Sequence, residues 1–586
     1  MISTDVQTGY PSIDKPWLKY YTAEDLAIQS SKTIYQNTYD NNKAFINDIA
    51  ILYYGNRIRY RDLFSHVEQC ARALRQAGVQ SGDCITLCTA SVPEAIYLVL
   101  ACSRIGVIAN FLNPLFSKEQ IIDRINETES KWLFVLDAMY SYIQAALPET
   151  CIDKVVVIPA TNSIPVFLSK ILYFRSEARK IMKQRSDRIS FLKWKDFCGF
   201  NAKYLGTPDV SYKPDTPTVM VYSSGSTGAS KGILLTNDGI NATISHYQTH
   251  SYVSARGDTF LQMIPIWFST GIVLSILMPL VKGITVIPEP KFGKDSFVKD
   301  LAKYRPTMTL TATSLWLYAI NDSRLEKTSF SNMKYPITGG EKVLPQDEQR
   351  MNDFLRNHHC KTKMYKGYGM CELGGTVTAS SNDGNYSDKG MGTGIPLLHA
   401  VVSAFDISTG KELKYGQHGE IRVFSPARMK GYYKNPQATS EFFKSDERGV
   451  IWGCTGDIGY VDEDGEVFIL GRATDHYRRE NGEIVYLFDI EAEILADEAV
   501  AQCKVVDIVT EAGKKLAAHV VFRPGTGDET GALSRIHSRL TQSLPGYMAP
   551  DFYKVRSSMP VHTNGKMDIR TLRMDREELI PAEHLR

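Results

Sequence analysis

The chain has 586 residues, 43% hydrophobic and 23% charged, with 67 Lys plus Arg against 65 Asp plus Glu. One hydrophobic core rarely serves such a length, so at least two packed units are expected, and the composition excludes a disordered chain. A formal net charge of +2 excludes the strongly basic field of a nucleic-acid binder, though not a local basic patch.

In chain order, the opening MISTDVQTGYPSIDKPW lacks the charged head and apolar stretch of a signal peptide. The 10 cysteines are scattered and form no CxxC pair, so zinc is not expected and reduced thiols in the cytoplasm are. From Cys84 to Leu112 a β-branched run, an amphipathic stretch and a second apolar run form a βαβ pattern. KWLFVLDA, KVVVIPAT, TVMVYSSG and GITVIPEP continue the alternation, which predicts an α/β fold with largely parallel strands. Residues 163–198 mix apolar positions with bases such as Arg175, Arg179, Lys180 and Lys183. This segment reads either as a solvated helical surface or as a helix lying on a membrane surface.

The strongest signal runs from Val221 to Gly232, VYSSGSTGASKG. Small residues expose backbone N–H groups that cradle phosphate oxygens; hydroxyls add donors and Lys231 adds a charge. It is not a Walker loop, because the glycine spacing differs and Gly232 follows the lysine. Next, Met263 to Gly271 reads MIPIWFSTG, and no Asp or Glu occurs from Leu261 to Pro288. A buried ammonium there would lack a partner, so any slot in this stretch suits an uncharged, apolar group. Trp267, Phe268, Gly271, Leu274, Leu277, Trp316 and Gly339 are candidates to line that slot. The apolar run Gly271 to Val281 is too short to cross a bilayer and predicts a buried helix or strand.

Farther on come Gly339-Gly340-Glu341, Gly367-Tyr368-Gly369-Met370-Cys371-Glu372, and Gly419-Glu420-Ile421-Arg422-Val423 followed by Gly431-Tyr432-Tyr433-Lys434-Asn435-Pro436. Thr455-Gly456-Asp457 precedes Gly471-Arg472, and Asp462-Glu463-Asp464-Gly465 between them reads as a hairpin turn. The pattern then changes to a charged, turn-rich stretch and a compact α+β ending, which sets the expected domains at 1–472 and 473–586. Leu544-Pro545-Gly546-Tyr547-Met548-Ala549-Pro550 and Met559-Pro560-Val561-His562-Thr563-Asn564-Gly565-Lys566 close the chain.

These motifs, in this order from about residue 50 to about residue 575, resemble the superfamily of acyl-CoA synthetases, peptide-synthetase adenylation domains and beetle luciferases. The resemblance implies a large N-terminal adenylate-forming domain with mixed α/β sheets and a small mobile C-terminal α+β domain. It implies that Ser223, Ser224, Gly225, Ser226, Thr227, Gly228 and Lys231 wrap the ATP triphosphate. Glu372 would hold Mg²⁺, Tyr368 and Gly369 would lie against the adenine, and Gly340 and Glu341 would form its wall. Asp457 and Arg472 would contact the ribose. Lys566 would stabilise charge during adenylation. The stretch from Gly419 to Pro436 is read as structural.

The implied reaction is activation of a fatty or other apolar acid to acyl-AMP, then transfer to coenzyme A. The alternative is loading of a carrier protein's phosphopantetheine thiol. The implied pivot between the two steps falls on Thr474, where the family usually has Asp or Lys. The stretch from there to Gly482 carries one residue more than the common spacing. Phe268 stands where the family has His, and Cys371 where it has Thr. Neither a nucleic-acid partner nor a membrane span is expected; for 163–198 ordinary solvated surface and peripheral membrane contact both stand.

Overall fold

The computed structural model describes residues 7–28, 30–165, 177–184, 186–223, 230–380, 389–478, 484–511, 513–560 and 567–585. The fold is mixed α/β. An eight-stranded sheet opens with the expected βαβ unit. Cys84–Cys88 and Ile108–Phe111 pair in parallel and are joined by the helix Pro93–Ile105. Proline begins that helix, where no N–H is needed, and Gly106 ends it at φ +71°. Along the same sheet lies the antiparallel hairpin of β1 (Pro217–Tyr222) and β2 (Gly232–Thr236). Helix α1 (Asn237–His246) follows directly, its first turn capped by Thr236, whose hydroxyl accepts the Gly239 N–H at 3.0 Å.

A nine-stranded sheet supplies the second layer. Its centre is four parallel neighbours: β3 (Thr259–Gln262), β4 (Met308–Thr311), β5 (Tyr335–Gly339) and β6 (Tyr365–Tyr368). Between β3 and β4 runs the apolar stretch 271–281. It is helical and buried, as a π-helix Thr270–Leu277 continuing into α2 (Met278–Lys282). The wide turn shows in the bond from Met278 N–H back five residues to the Val273 carbonyl, and the Ser275 hydroxyl donates to the Thr270 carbonyl at 3.1 Å. Helix α3 (Thr313–Ala319) follows β4. The short strand β7 (Gly431–Tyr432) returns to the first sheet and pairs antiparallel with β2.

The chain divides into two compact units. The smaller comprises residues 418–421 and 456–459 together with Ile469–Arg586. Those two short segments belong to the strands Gly419–Phe424 and β8 (Ile451–Val461). The expected turn Asp462–Gly465 leads from β8 to β9 (Val467–Arg472), with Gly465 at φ +91° and its N–H on the Asp462 carbonyl at 3.0 Å. The smaller unit has its own core, in which Val505, Leu516, Val520, Ile536 and Leu540 are fully buried. Among the described residues no helix is long and apolar enough to cross a membrane. In the basic segment, Ala178 and Ile181 are buried against Val155 and Val157, and Met182 packs on the same cluster. Ile181 is therefore spent on the protein core, with Met182 partly buried beside it. The other apolar positions from Val166 to Phe174 lie outside the described residues.

Candidate active site

The Ser/Gly-rich loop is the connection of the β1–β2 hairpin. Two bonds pinch its base: Ser223 N–H donates to the Lys231 carbonyl and Lys231 N–H to Ser223 Oγ, both at 3.0 Å. They extend the hairpin one step beyond its last ladder pair, Tyr222 with Gly232. Ser224, Gly225, Ser226, Thr227 and Gly228 lie outside the described residues, as does Lys566.

Antiparallel pairing of Tyr432 with Ile233 brings β7 beside this neck. The Lys231 ammonium lies 5.1 Å from the centre of the Tyr432 ring, within cation–π range. The Tyr432 hydroxyl donates to Glu372 Oε1 at 3.0 Å. Burial, and then the Glu372 charge, pushes the Tyr432 phenol well above its ordinary value, so it keeps its proton and remains the donor. Glu372 is itself buried on the single turn Cys371–Leu373, and its backbone carbonyl accepts the Met429 N–H at 2.8 Å. Lys231 and Glu372, far apart in sequence, thus meet across Tyr432. Sequence reasoning gave the Gly431–Pro436 stretch a structural role only. The available signal was a phenol directly after a glycine inside a motif of the resemblance.

A single buried carboxylate beside a phosphate-type loop suits Mg²⁺, which takes one or two carboxylates and leaves its other positions to water and substrate phosphates. Among the described residues no group of three or more His, Cys, Asp or Glu forms a metal cage. A Mg²⁺ at Glu372 would accordingly be held chiefly by the nucleotide.

The other wall is built at the ends of β5 and β6. Gly339 and Gly367 are paired there, and Tyr368 follows with its N–H on Thr378 Oγ1 at 3.3 Å. A side chain on Gly369 would place its Cβ 2.4 Å from the Thr376 Cα, so only glycine permits this approach. Glu341 holds the start of α3, accepting the Ser314 N–H at 2.8 Å and its hydroxyl at 3.0 Å. Before the π-helix, Trp267 and Phe268 are half-buried with ring centres 6.3 Å apart. Gly271 is required here as well, because a Cβ would sit 2.1 Å from the Pro265 carbonyl oxygen.

Trp316 does not join this wall. It is fully buried, meets Phe297 edge-on at 5.2 Å, and donates its indole N–H to the Ile337 carbonyl at 3.0 Å. It clusters with Leu261, which alternates with Phe260 on β3, so Trp316 serves the opposite face of the sheet. Leu274 and Leu277 are buried within the π-helix.

In the smaller unit, Asp457 Oδ1 pairs with Arg472 Nε at 3.1 Å; the aspartate is buried and the guanidinium 55% exposed. Gly456, at φ +68°, gives its carbonyl to the Ala473 N–H at 2.8 Å, fastening the end of β9 to β8. Thr474 is exposed in the turn that follows. Its neighbour Asp475 is anchored: its N–H bonds the Arg472 carbonyl at 3.0 Å and its carboxylate pairs with Lys504 at 2.9 Å. Lys504 also pairs with Glu491 at 3.0 Å. Burial leads in pushing the Glu491 carboxyl up, against the lowering effect of Lys504.

Solved structures share this architecture. ATP-bound MatB from Rhodopseudomonas palustris superposes with a TM-score of 0.76 over 92% of this chain and 98% of its own, at 23% identity. The anthranilate CoA ligase AuaEII, with anthranoyl-AMP, gives 0.75 over 94% and 98% at 17% identity. The fold is therefore that of an adenylate-forming enzyme. The family model of the AMP-binding enzymes matches residues 38–433, and the chain belongs to that family. Among curated proteins it is 24% identical to a long-chain-fatty-acid–CoA ligase of Bacillus subtilis (strain 168), over 95% of this chain and 97% of the relative. It is 25% identical to 4-coumarate–CoA ligase 1 of Petroselinum crispum, over 79% and 80%.

Proposed function

We propose that this enzyme joins a carboxylic acid to the thiol of coenzyme A at the expense of ATP. The acid's carboxylate oxygen attacks the α-phosphorus and pyrophosphate leaves; the thiol sulfur then attacks the acyl carbon and AMP leaves. The observation that carries the reading is the Lys231–Tyr432–Glu372 cluster at the neck of the Ser/Gly-rich loop. It puts a cation and a buried carboxylate beside that neck, which supports a triphosphate and its Mg²⁺ as the ligands there. Bound there, Mg²⁺ would screen the repulsion between two anionic reactants. Asp457 and Arg472 take the ribose, and Lys566 supplies the charge that stabilises the adenylation transition state. Thr474 is the pivot between the two half-reactions. The acid-free stretch Leu261 to Pro288 favours a fatty or other apolar acid over an amino acid. The names of the relatives, ligases of fatty and aromatic acids, agree with this class.

The test is acid-dependent exchange of labelled pyrophosphate into ATP across an acid library, followed by mass analysis of the thioester formed with free CoA. No exchange with any acid would sink the proposal. Exchange without CoA thioester, but with loading of a phosphopantetheinylated carrier, would move the thiol acceptor to a protein. Peripheral membrane contact through 163–198 now rests on its bases. Failure of the protein to sediment with anionic vesicles at low salt would remove it.

A further inference from the structure

Lys231 carries the charge at the neck of the Ser/Gly-rich loop, and its backbone is tied at three points. Its N–H donates to Ser223 Oγ and its carbonyl accepts the Ser223 N–H, both at 3.0 Å. The third tie is on the other side of the same peptide. The Ser230 carbonyl accepts Arg124 Nη1 at 2.9 Å, a bond between residues 106 apart in the chain. A peptide group is planar, so holding its N–H and its C=O fixes the whole 230–231 plane. With the Lys231 carbonyl also held, the direction in which the Lys231 side chain leaves the backbone is set from both sides of its Cα.

Arg124 lies on the helix Lys118–Thr128. A capping box starts that helix: the Ser117 hydroxyl accepts the Gln120 N–H at 3.3 Å, and Gln120 Oε1 accepts the Ser117 N–H at 3.0 Å. Ile121 and Ile125 anchor it in the cluster that holds Leu133 and Val135. Glu127, one turn beyond Arg124, pairs with the same Nη1 at 3.0 Å. The Arg124 side chain is only 16% exposed. A cation so nearly buried, and held by its own helix, is spent on one carbonyl of the loop's exit. Ser230 brings no anchor of its own, because its buried Oγ has no hydrogen-bond partner among the described residues. Nor does the sheet need the bond. Its ladder already ends at the Tyr222–Gly232 pair, and the Tyr222 hydroxyl is fixed to Asn110 Oδ1 at 2.9 Å. What the Arg124 bond adds is the orientation of the peptide that carries Lys231.

We propose that Arg124 is a positioning residue for Lys231: it fixes the 230–231 peptide and so aims the ammonium at the outer phosphates of ATP, with Glu127 steadying the guanidinium. The proposal rests on the ATP-dependent ligase reading and deepens it. The loop's grip on the triphosphate then depends on a helix outside every motif of the sequence.

The experiment measures the Kd of Mg·ATP and of AMP by titration calorimetry for the wild type, Arg124→Met, Lys231→Ala and the double variant. AMP shares the adenosine and the α-phosphate but lacks the outer phosphates, and methionine keeps much of the apolar stem of arginine. Arg124→Met is expected to weaken Mg·ATP by about tenfold, the scale of a lost hydrogen bond to a charged group. AMP should stay within about twofold, the scatter of independent sites. On the Lys231→Ala background, Arg124→Met should change the Mg·ATP Kd by less than about twofold, because the group it positions is gone. Arg124→Lys should recover part of the loss, since an ammonium can still reach one carbonyl. If Arg124→Met fails to fold, Glu127→Gln replaces it in the same cycle. That variant keeps the cation and loosens its hold, so Mg·ATP should weaken relative to AMP by a smaller factor, again only while Lys231 is present. Equal weakening of ATP and AMP, an unchanged Mg·ATP Kd, or the same loss with and without Lys231 would overturn the proposal. A wild type that binds no Mg·ATP would instead overturn the functional reading beneath it.

Discussion

Tyr432 is held by two different forces, and they can be separated by substitution. Its ring faces the Lys231 ammonium and its hydroxyl bonds Glu372. Tyr432→Phe keeps the first and removes the second. A hydrogen bond to a charged group is worth ~1.5–3 kcal/mol, so kcat/KM for Mg·ATP should fall by roughly tenfold or more, and added Mg²⁺ should recover part of it. The melting temperature should scarcely change. Loss of stability with unchanged ATP kinetics would make Tyr432 merely structural. Lys566→Ala should cut adenylate formation by ~10²–10³, as for a lost electrostatic donor, and spare thiol transfer from a supplied acyl-adenylate. Equal loss in both half-reactions would contradict its assignment to the first. At this scale the sequence exposed Lys231 and Glu372 because charge within a glycine-rich or aromatic motif is conspicuous. It hid Tyr432 because an aromatic residue beside glycine looks like packing. It offered Trp316 wrongly, because which face of a strand a following helix serves is decided only by register.

At the scale of elements, the π-helix depends on one glycine. Gly271→Ala would drive a Cβ against the backbone carbonyls of Pro265, 2.1 Å away, and of Ile264, 2.8 Å away, neither of which can rotate aside. A destabilisation of about 1–3 kcal/mol is expected, as for other overpacked sites, seen as an earlier first transition in calorimetry. The KM for the acid should rise with it, because Trp267 and Phe268 sit on the displaced loop. An unchanged transition would mean that the loop yields without cost. The βαβ unit from Cys84 to Leu112 and the helical burial of 271–281 were legible from apolar period and length. The π character was not, since the same run satisfies an α period equally well.

For the molecule as a whole, two buried imidazoles add to the loss of stability in mild acid. His246 is pushed down to about 3 by burial and then by Lys282, and His519 to about 4 by burial and then by Arg556. Both lie below the ~6.5 of an unfolded histidine, so the unfolded chain binds protons more readily. Their contribution is whole above pH ~6.5 and is lost progressively as pH falls toward the folded values. Denaturant midpoints should therefore drop between pH 7 and 5, and His246→Gln should flatten that slope. An unaltered slope would place the acid sensitivity elsewhere. Thr474→Pro should slow thioester formation more than pyrophosphate exchange if this turn is the pivot; equal slowing would argue against it.

The order of manufacture follows from where the smaller unit draws its residues. Segments 418–421 and 456–459 belong to it, yet they leave the ribosome before Ile469–Arg586, with which they cluster. Their strand neighbours, Val401–Phe405, Phe443–Ser445 and β9, lie within residues 401–472, so the sheet that holds them is complete seconds before the rest of the smaller unit at ~5–20 residues per second. The smaller unit is thus not a separate tail: part of it is laid down before most of Ile469–Arg586 is made. A nascent chain stalled with β9 just outside the ribosome should already protect the 418–421 and 456–459 segments from protease along with the larger unit; cleavage there would mean that they wait for residues beyond β9.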